Sequence, residues 1–279
     1  MLPVGSPSSL EAAPPAAVLS ERPPTKRPIA ERPVARPAMR LAWTLWNAVQ
    51  LVYTLAWSAG CITLALLVRL LTRSTRLPLA MARGLWAPGL LYGAGARLEV
   101  DRGGLPFDRP YLFVANHASI IDIPALFRAL PTELHFIVKR ELGRVPFLGW
   151  YVSAMGMIFV DRGARSEALA SVRHASTLAR AGQSVLSFPE GTRSRDGRVG
   201  PFKSGAFLAA IEAGVPVVPV AVAGAGAVLP PSGFRVRPGT IRIAVGEPIP
   251  TAGLTKADRG ALAEQARAAV LALRARLDS

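Results

Sequence analysis

The sequence predicts an α/β fold, a mixed, largely parallel sheet flanked by helices, with an N-terminal hydrophobic helical membrane segment ahead of it. Three observations lead there. From Arg97 onward, short β-rich runs alternate with helical patterns, the texture of a chain that lays strands side by side through helical crossovers. Several of those runs stop abruptly in polar clusters, as strands do where they reach the ligand-binding edge of an open sheet. Before them, residues 41–68 contain no Asp, Glu, Lys, Arg or His.

The elements follow in order. Residues 1–40 hold nine prolines, few aromatic or β-branched residues, and a basic end running through Arg22, Lys26, Arg27, Arg32, Arg36 and Arg40. Such a stretch buries too little apolar surface to offset its ordering entropy, so a disordered, basic tail is expected. Residues 41–96 make the membrane segment. As a helix, the uncharged run would extend about 42 Å at about 1.5 Å per residue, against a hydrocarbon core of about 30 Å. It is long enough to span, tilt or bend back, and it is too long and too far from Met1 for a cleavable signal peptide. Arg40 precedes it and Arg69, Arg73, Arg76 and Arg83 follow, so positive charge favours neither orientation. Two basic flanks also suit a re-entrant hairpin, for which the apolar patch at residues 84–96 supplies part of the return limb.

Residues 97–279 form the α/β domain. Strands are expected at 97–100, 111–115, 134–138, 156–160, 184–188, 217–222 and 240–245, and helices at 119–130, 166–181, 203–213 and 256–277. Thr255 and Asp258 have the spacing of a capping box for the last of these.

Composition narrows the function. A net charge of +15 with a pI near 11.4 draws the protein to polyanions: nucleic acid, anionic lipid or phosphorylated substrates. The 51% hydrophobic content and positive mean hydropathy favour the membrane over nucleic acid. Cys61 is the single cysteine, and no Cys/His spacing for zinc occurs, so neither a disulfide nor a metal is expected.

The polar clusters carry the chemistry. YLFVA runs into Asn116-His117, LHFIV into Lys139-Arg140-Glu141, GMIFV into Asp161-Arg162, and SVLSF into Pro189-Glu190-Gly191-Thr192-Arg193. On parallel strands all four open at one edge. His117 then sits in a strand-to-helix turn with Asp122 in the first helical turn, where the carboxylate can take the Nδ1 proton and leave Nε2 free as a base. On one continuous helix the two would lie about 140° apart, so the pairing requires His117 to precede the helix. Residues 187–194, SFPEGTRS, look like an anion site: Gly191 can aim amide N–H groups outward and Arg193 offers a fork to phosphate. Glu190 could accept hydrogen bonds from a hydroxylated ligand, and Lys203 could add a cation. No G-x-S-x-G elbow exists, so the nucleophile should be a substrate hydroxyl. His135 and His174, without such partners, are assigned structural places.

Taken together, Asn116-His117-Ala118-Ser119-Ile120-Ile121-Asp122, Lys139-Arg140-Glu141-Leu142, Gly156-Met157-Ile158-Phe159-Val160-Asp161-Arg162, Phe188-Pro189-Glu190-Gly191-Thr192-Arg193-Ser194 and Val215-Pro216-Val217-Val218-Pro219-Val220 resemble, in order, the motifs of the glycerolipid acyltransferase family. The resemblance covers about residues 80–250 and is strongest to the 1-acyl-sn-glycerol-3-phosphate acyltransferases. It implies transfer of a fatty acyl group from acyl-CoA or acyl-ACP to the sn-2 hydroxyl of lysophosphatidic acid, forming phosphatidic acid. By the same resemblance His117 is the general base and Asp122 its orienting partner. Glu190, Gly191, Thr192 and Arg193 bind the glycerol phosphate, Arg162 adds charge to the phosphate site, and Lys139 assists. The expectation is of a bacterial inner-membrane enzyme facing the cytoplasm, with membrane lipids around it, no cofactor and no nucleic acid. Acylation of another lysolipid, such as a lyso-ornithine lipid or a lysophospholipid in remodelling, is the alternative. A non-catalytic lipid-binding protein is a further one.

Overall fold

The computed structural model describes residues 37–160 and 165–279. The expected tail at 1–40 therefore lies outside the described residues, save for its last four positions, which open the first helix. That helix, α1 (Pro37–Thr72), runs past both ends of the uncharged stretch. It is long and apolar enough to cross a membrane by length and composition, and only 17% of its most apolar window is buried. Leu41, Leu45, Val49, Val52 and Leu55 face outward, while Gln50, Ile62 and Ala65 are buried against the protein.

The return limb begins earlier than residue 84. It consists of α2 (Arg76–Met81), a π-helical turn (Ala82–Trp86) and α3 (Ala87–Gly93). Pro88 has no N–H to give back to Gly84, and the helical ladder is wound as a π turn at that point. The limb docks on α1 through Tyr53 Oη donating to Gly89 O (2.9 Å), Trp57 Nε1 to Trp86 O (3.2 Å) and Trp86 Nε1 to Ser58 Oγ (3.1 Å). Glycine is required where these rings lie: a Cβ on Gly89 would be 2.2 Å from Trp57, and one on Gly93 would be 2.0 Å from Tyr53. The limb thus packs back along α1, the bent-back one of the arrangements that the sequence leaves open.

Among the described residues seven strands follow: β1 (Ala96–Asp101), β2 (Leu112–Ala115), β3 (Leu134–Lys139), β4 (Ile158–Val160), β5 (Ser184–Ser187), β6 (Val217–Ala223) and β7 (Gly239–Val245). Their order in the sheet is β1-β7-β6-β2-β5-β3-β4. The block β6-β2-β5-β3-β4 is parallel, whereas β7 pairs antiparallel with β6 and β1 pairs parallel with β7. The sheet is therefore mixed, and the two strands on one side run against the rest. The helices are α4 (Asp122–Ala129), α5 (Leu148–Ala154), α6 (Arg165–Arg180), α7 (Gly205–Ala213), α8 (Ala225–Val228) and α9 (Arg259–Asp278). Short α5 and α8 carry too few residues to show a helical period and were not expected. Thr255 and Asp258 do form the capping box, with Thr255 N donating to Asp258 Oδ2 at 2.7 Å and Ala257 N to Thr255 Oγ1 at 3.3 Å.

Strands β2 and β6 are apolar at every position because helices cover both faces. In β2, Phe113 and Ala115 join the core shared with α1, α3, α4 and α5, while Leu112 and Val114 join the core shared with α6, α7 and α9. That three-layer packing fixes the strands, and with them the edge at which β2, β3, β4 and β5 all end.

Candidate active site

Asn116 leaves β2 fully buried, and its side chain continues the ladder that the backbone abandons. Nδ2 donates to Val222 O (2.9 Å) and Oδ1 accepts from Val222 N (2.8 Å), which ties the strand end to β6. The next residue, His117, is thereby held in the turn before α4. Its ring stacks on Phe188 at the end of β5, with centroids 3.9 Å apart and planes 15° from parallel.

The expected dyad is formed. His117 Nδ1 lies 2.8 Å from Asp122 Oδ2, and the same oxygen accepts the N–H groups of Ala118 and Ser119 at 2.8 Å each. Asp122 has no exposed surface. A carboxylate that accepts from backbone N–H groups has only acceptor capacity left, so Nδ1 carries the proton and Nε2 is the free base. The side chain of His117 keeps 16% of its surface open. Because Asp122 is the first residue of α4 and His117 precedes the helix, the angular objection to an i,i+5 pair does not arise.

Glu190 meets the dyad from the 190–200 loop. It is buried; Oε1 accepts the backbone N–H of His117 (2.8 Å) and Oε2 that of Gly200 (2.8 Å). It braces the base to the 190–200 loop. Arg267 on α9 holds the loop from outside, with Nε on Gly200 O (2.8 Å) and Nη2 on Val199 O (3.1 Å). Nothing in the sequence marks Arg267, which lies far along the chain from every motif. Phe188 and Asn116 stand inside recognised motifs, but only tertiary contacts give them their parts.

The cationic residues are gathered unevenly. Ser194 N donates to His117 O at 2.7 Å, which puts the backbone beside Arg193 directly against the dyad, and Arg193 itself is exposed. Gly191 adopts φ +75°, and a Cβ there would lie 3.0 Å from Lys203 Nζ, so the lysine side chain crosses over the glycine. Thr192 is exposed between them. Lys139 ends β3 in an ion pair with Glu141 (2.7 Å), on an exposed part of the same sheet edge. Arg162 lies outside the described residues. Of the other histidines, His135 is buried in β3 and His174 is exposed on α6.

The chain is similar to known proteins in sequence and in fold. Residues 98–223 match the family model described as Acyltransferase. A chloroplastic 1-acyl-sn-glycerol-3-phosphate acyltransferase of Brassica napus is 38% identical over 51% of this chain and 41% of its own length. One from Chlamydomonas reinhardtii is 34% identical over 77% of this chain and 63% of its own. The chain thus spans less than two thirds of these relatives' length. The crystal structure of the 1-acyl-sn-glycerophosphate (LPA) acyltransferase PlsC from Thermotoga maritima superposes with a TM-score of 0.67 at 27% identity, covering 85% of this chain and 97% of that one. Residues 98–223 accordingly resemble an acyltransferase domain, in a chain whose sequence and fold both resemble the 1-acyl-sn-glycerol-3-phosphate acyltransferases.

Proposed function

We propose that the protein is a membrane-associated acyltransferase that moves a fatty acyl group from an acyl-CoA or acyl-ACP thioester to the sn-2 hydroxyl of 1-acyl-sn-glycerol 3-phosphate, giving phosphatidic acid. The observation that carries this reading is the His117–Asp122 dyad, locked by backbone N–H groups and bordered by the loop that bears Arg193. Arg193 and Lys203 supply charge for the acceptor phosphate, with Arg162 and Lys139 as further cations of the same edge. Gly191 and Thr192 shape the loop between them.

In the reaction, Nε2 of His117 takes the proton of the acceptor hydroxyl as its oxygen attacks the thioester carbonyl. A positioned base of this kind contributes roughly 10² to 10⁴ in rate. The tetrahedral oxyanion collapses with cleavage of the carbon–sulfur bond, and the departing thiolate recovers the proton from Nε2. The nucleophile belongs to the substrate, so no acyl-enzyme is formed. The apolar outer face of α1 holds the protein at a bilayer, where both lipid substrate and lipid product reside. We place it at the bacterial inner membrane with the domain on the cytoplasmic side, where acyl thioesters are found.

The test is a panel of acceptors offered with one acyl-CoA, following release of the coenzyme A thiol, with His117→Ala as the blank. Lysophosphatidic acid should be the best acceptor, and Arg193→Ala should weaken its use about tenfold while sparing neutral acceptors, as expected for loss of a guanidinium–phosphate pair. A preference for a lysolipid without a phosphate monoester would replace the proposed acceptor. Thiol release by folded His117→Ala at the wild-type rate would remove the proposed base.

A further inference from the structure

The opposite edge of the sheet holds a second cationic cavity, of about 590 Å³. Its wall is built from Arg69 and Arg73 at the foot of α1, from Arg76 at the start of α2, and from Glu133 and Gln183, which lead into β3 and β5. Because β5 runs from Gln183 toward Phe188, about 16 Å of strand separates this cavity from the His117 ring, at about 3.3 Å per residue. It is a separate place from the acyl-transfer site.

Three features of the cavity ask for an anion. Arg76 pairs with Glu133 at 3.2 Å, but among the described residues Arg69 and Arg73 have no carboxylate partner. Arg69 Nε is buried and makes no hydrogen bond among them. A buried donor left without a partner in a native fold calls for a ligand, ion or water to meet it. Arg73 is the residue that follows α1, and it has φ +54°. Glycine fills that left-handed position at helix ends without strain, whereas arginine is strained there; the position keeps its side chain at a conformational cost. The surroundings say which kind of anion. Leu67, Leu70, Leu71 and Leu77 flank the arginines and are all more than half exposed, continuing the outward apolar face of α1. A free phosphate needs no such rim, but a phospholipid lays its chains along it.

We propose that this cavity binds the phosphate of an anionic phospholipid headgroup, with the acyl chains lying on the leucines at the end of α1. Arg69 and Arg73 hold the phosphate oxygens, and Arg76 closes the wall from its pair with Glu133. The site makes membrane attachment depend on lipid charge, independently of the acyl-transfer reaction.

Vesicle flotation of the full chain tests this without any activity readout, so it can fail while the enzymatic assignment stands, and the reverse. Phosphatidylcholine vesicles are compared with the same vesicles containing phosphatidylglycerol. Wild type should partition about tenfold more strongly onto the anionic vesicles, and Arg69→Gln/Arg73→Gly should lose all but about twofold of that gain while keeping its binding to neutral vesicles. Glycine at 73 suits the local φ, and a melting curve for Arg73→Gly alone, at or above the wild-type midpoint, shows that the fold survives. Lys256→Gln/Arg259→Gln removes two charges near the start of α9 and should keep the gain. Equal loss in that control would overturn the proposal in favour of unspecific charge attraction. Glycerol 3-phosphate, which has the phosphate and no chains, separates the two sources. If at matched phosphate concentration it stabilises the protein through Arg69 and Arg73 as well as the lipid does, the ligand is a free phosphate ester and the lipid assignment falls.

Discussion

Replacing Asp122 with asparagine isolates the charge of the dyad. Oδ2 accepts three hydrogen bonds of 2.8 Å, from His117 Nδ1 and from the N–H groups of Ala118 and Ser119. Asparagine has the same volume and can keep its carbonyl oxygen on those three donors. Its NH₂ then falls where Oδ1 now lies, buried and without a hydrogen-bond partner among the described residues. One unsatisfied buried donor lowers stability by about 1–3 kcal/mol. The loss in catalysis should be larger. When the hydroxyl proton reaches Nε2 the ring becomes an imidazolium, and a neutral amide then faces it in place of a carboxylate. Hydrogen bonds to an ionised partner are about twice as strong as neutral ones, and the equivalent change in a serine-protease triad lowers kcat by about 10⁴. Here the amide carbonyl can preserve the Nδ1–H tautomer, so the expected fall in kcat is about 10² to 10⁴, or about 3 to 5 kcal/mol of barrier. Because Asp122 is shielded from any substrate, KM for the acceptor should stay within about twofold. Initial rates of thiol release, paired with melting curves, measure both effects. A folded Asp122→Asn protein turning over within threefold of wild type would refute the charge argument.

Further outcomes follow from the same contacts. Glu190→Gln places an NH₂ against one of two N–H donors, so it should cost about 1–3 kcal/mol in denaturant unfolding and lower kcat more than it raises KM; unchanged unfolding would mean that the two 2.8 Å bonds do not brace the loop. Gly93→Val drives a side chain into the Tyr53 ring, which its hydroxyl fixes to Gly89 O, and overpacking of this kind costs about 1–3 kcal/mol. Limited proteolysis between α1 and α2 should then accelerate; an unchanged cleavage rate would show the limb is held elsewhere. His135 is buried in β3, and burial, aided by His174 nearby, pushes its pKa from 6.5 down to about 4. Between those values the unfolded chain binds the proton and the folded one does not. Stability is therefore full above about pH 6.5 and declines as the pH falls toward 4, by up to about 1.4 kcal/mol per unit. His135→Gln should flatten that slope in urea titrations at several pH values, and parallel slopes would rule His135 out as its source.

Residues in sequence order determined a large part of this protein. Alternating apolar runs set the strands to within a few residues, because a strand buried on both faces is mostly apolar. The spacing of His117 and Asp122 set the dyad, since both groups lie within one strand-to-helix turn and need no distant partner to meet. The uncharged run from Leu41 set α1, whose helical hydrogen bonds are local. Tertiary structure decided what depends on pairs far apart in the chain. The reversal of β1 and β7 is one case, because strand direction is fixed by the partner across the sheet and not by the strand's own residues. The role of Glu190 is another: nothing in its neighbours tells that both its oxygens will be taken by His117 and Gly200. Arg267 reaches the loop only because α9 packs over β6, and Arg69 and Arg73 meet the start of β3 only because α1 lies along the domain. Local chemistry was legible in the order of the residues; the assignment of each polar group to a partner waited on packing, which brings together atoms that the chain itself keeps apart.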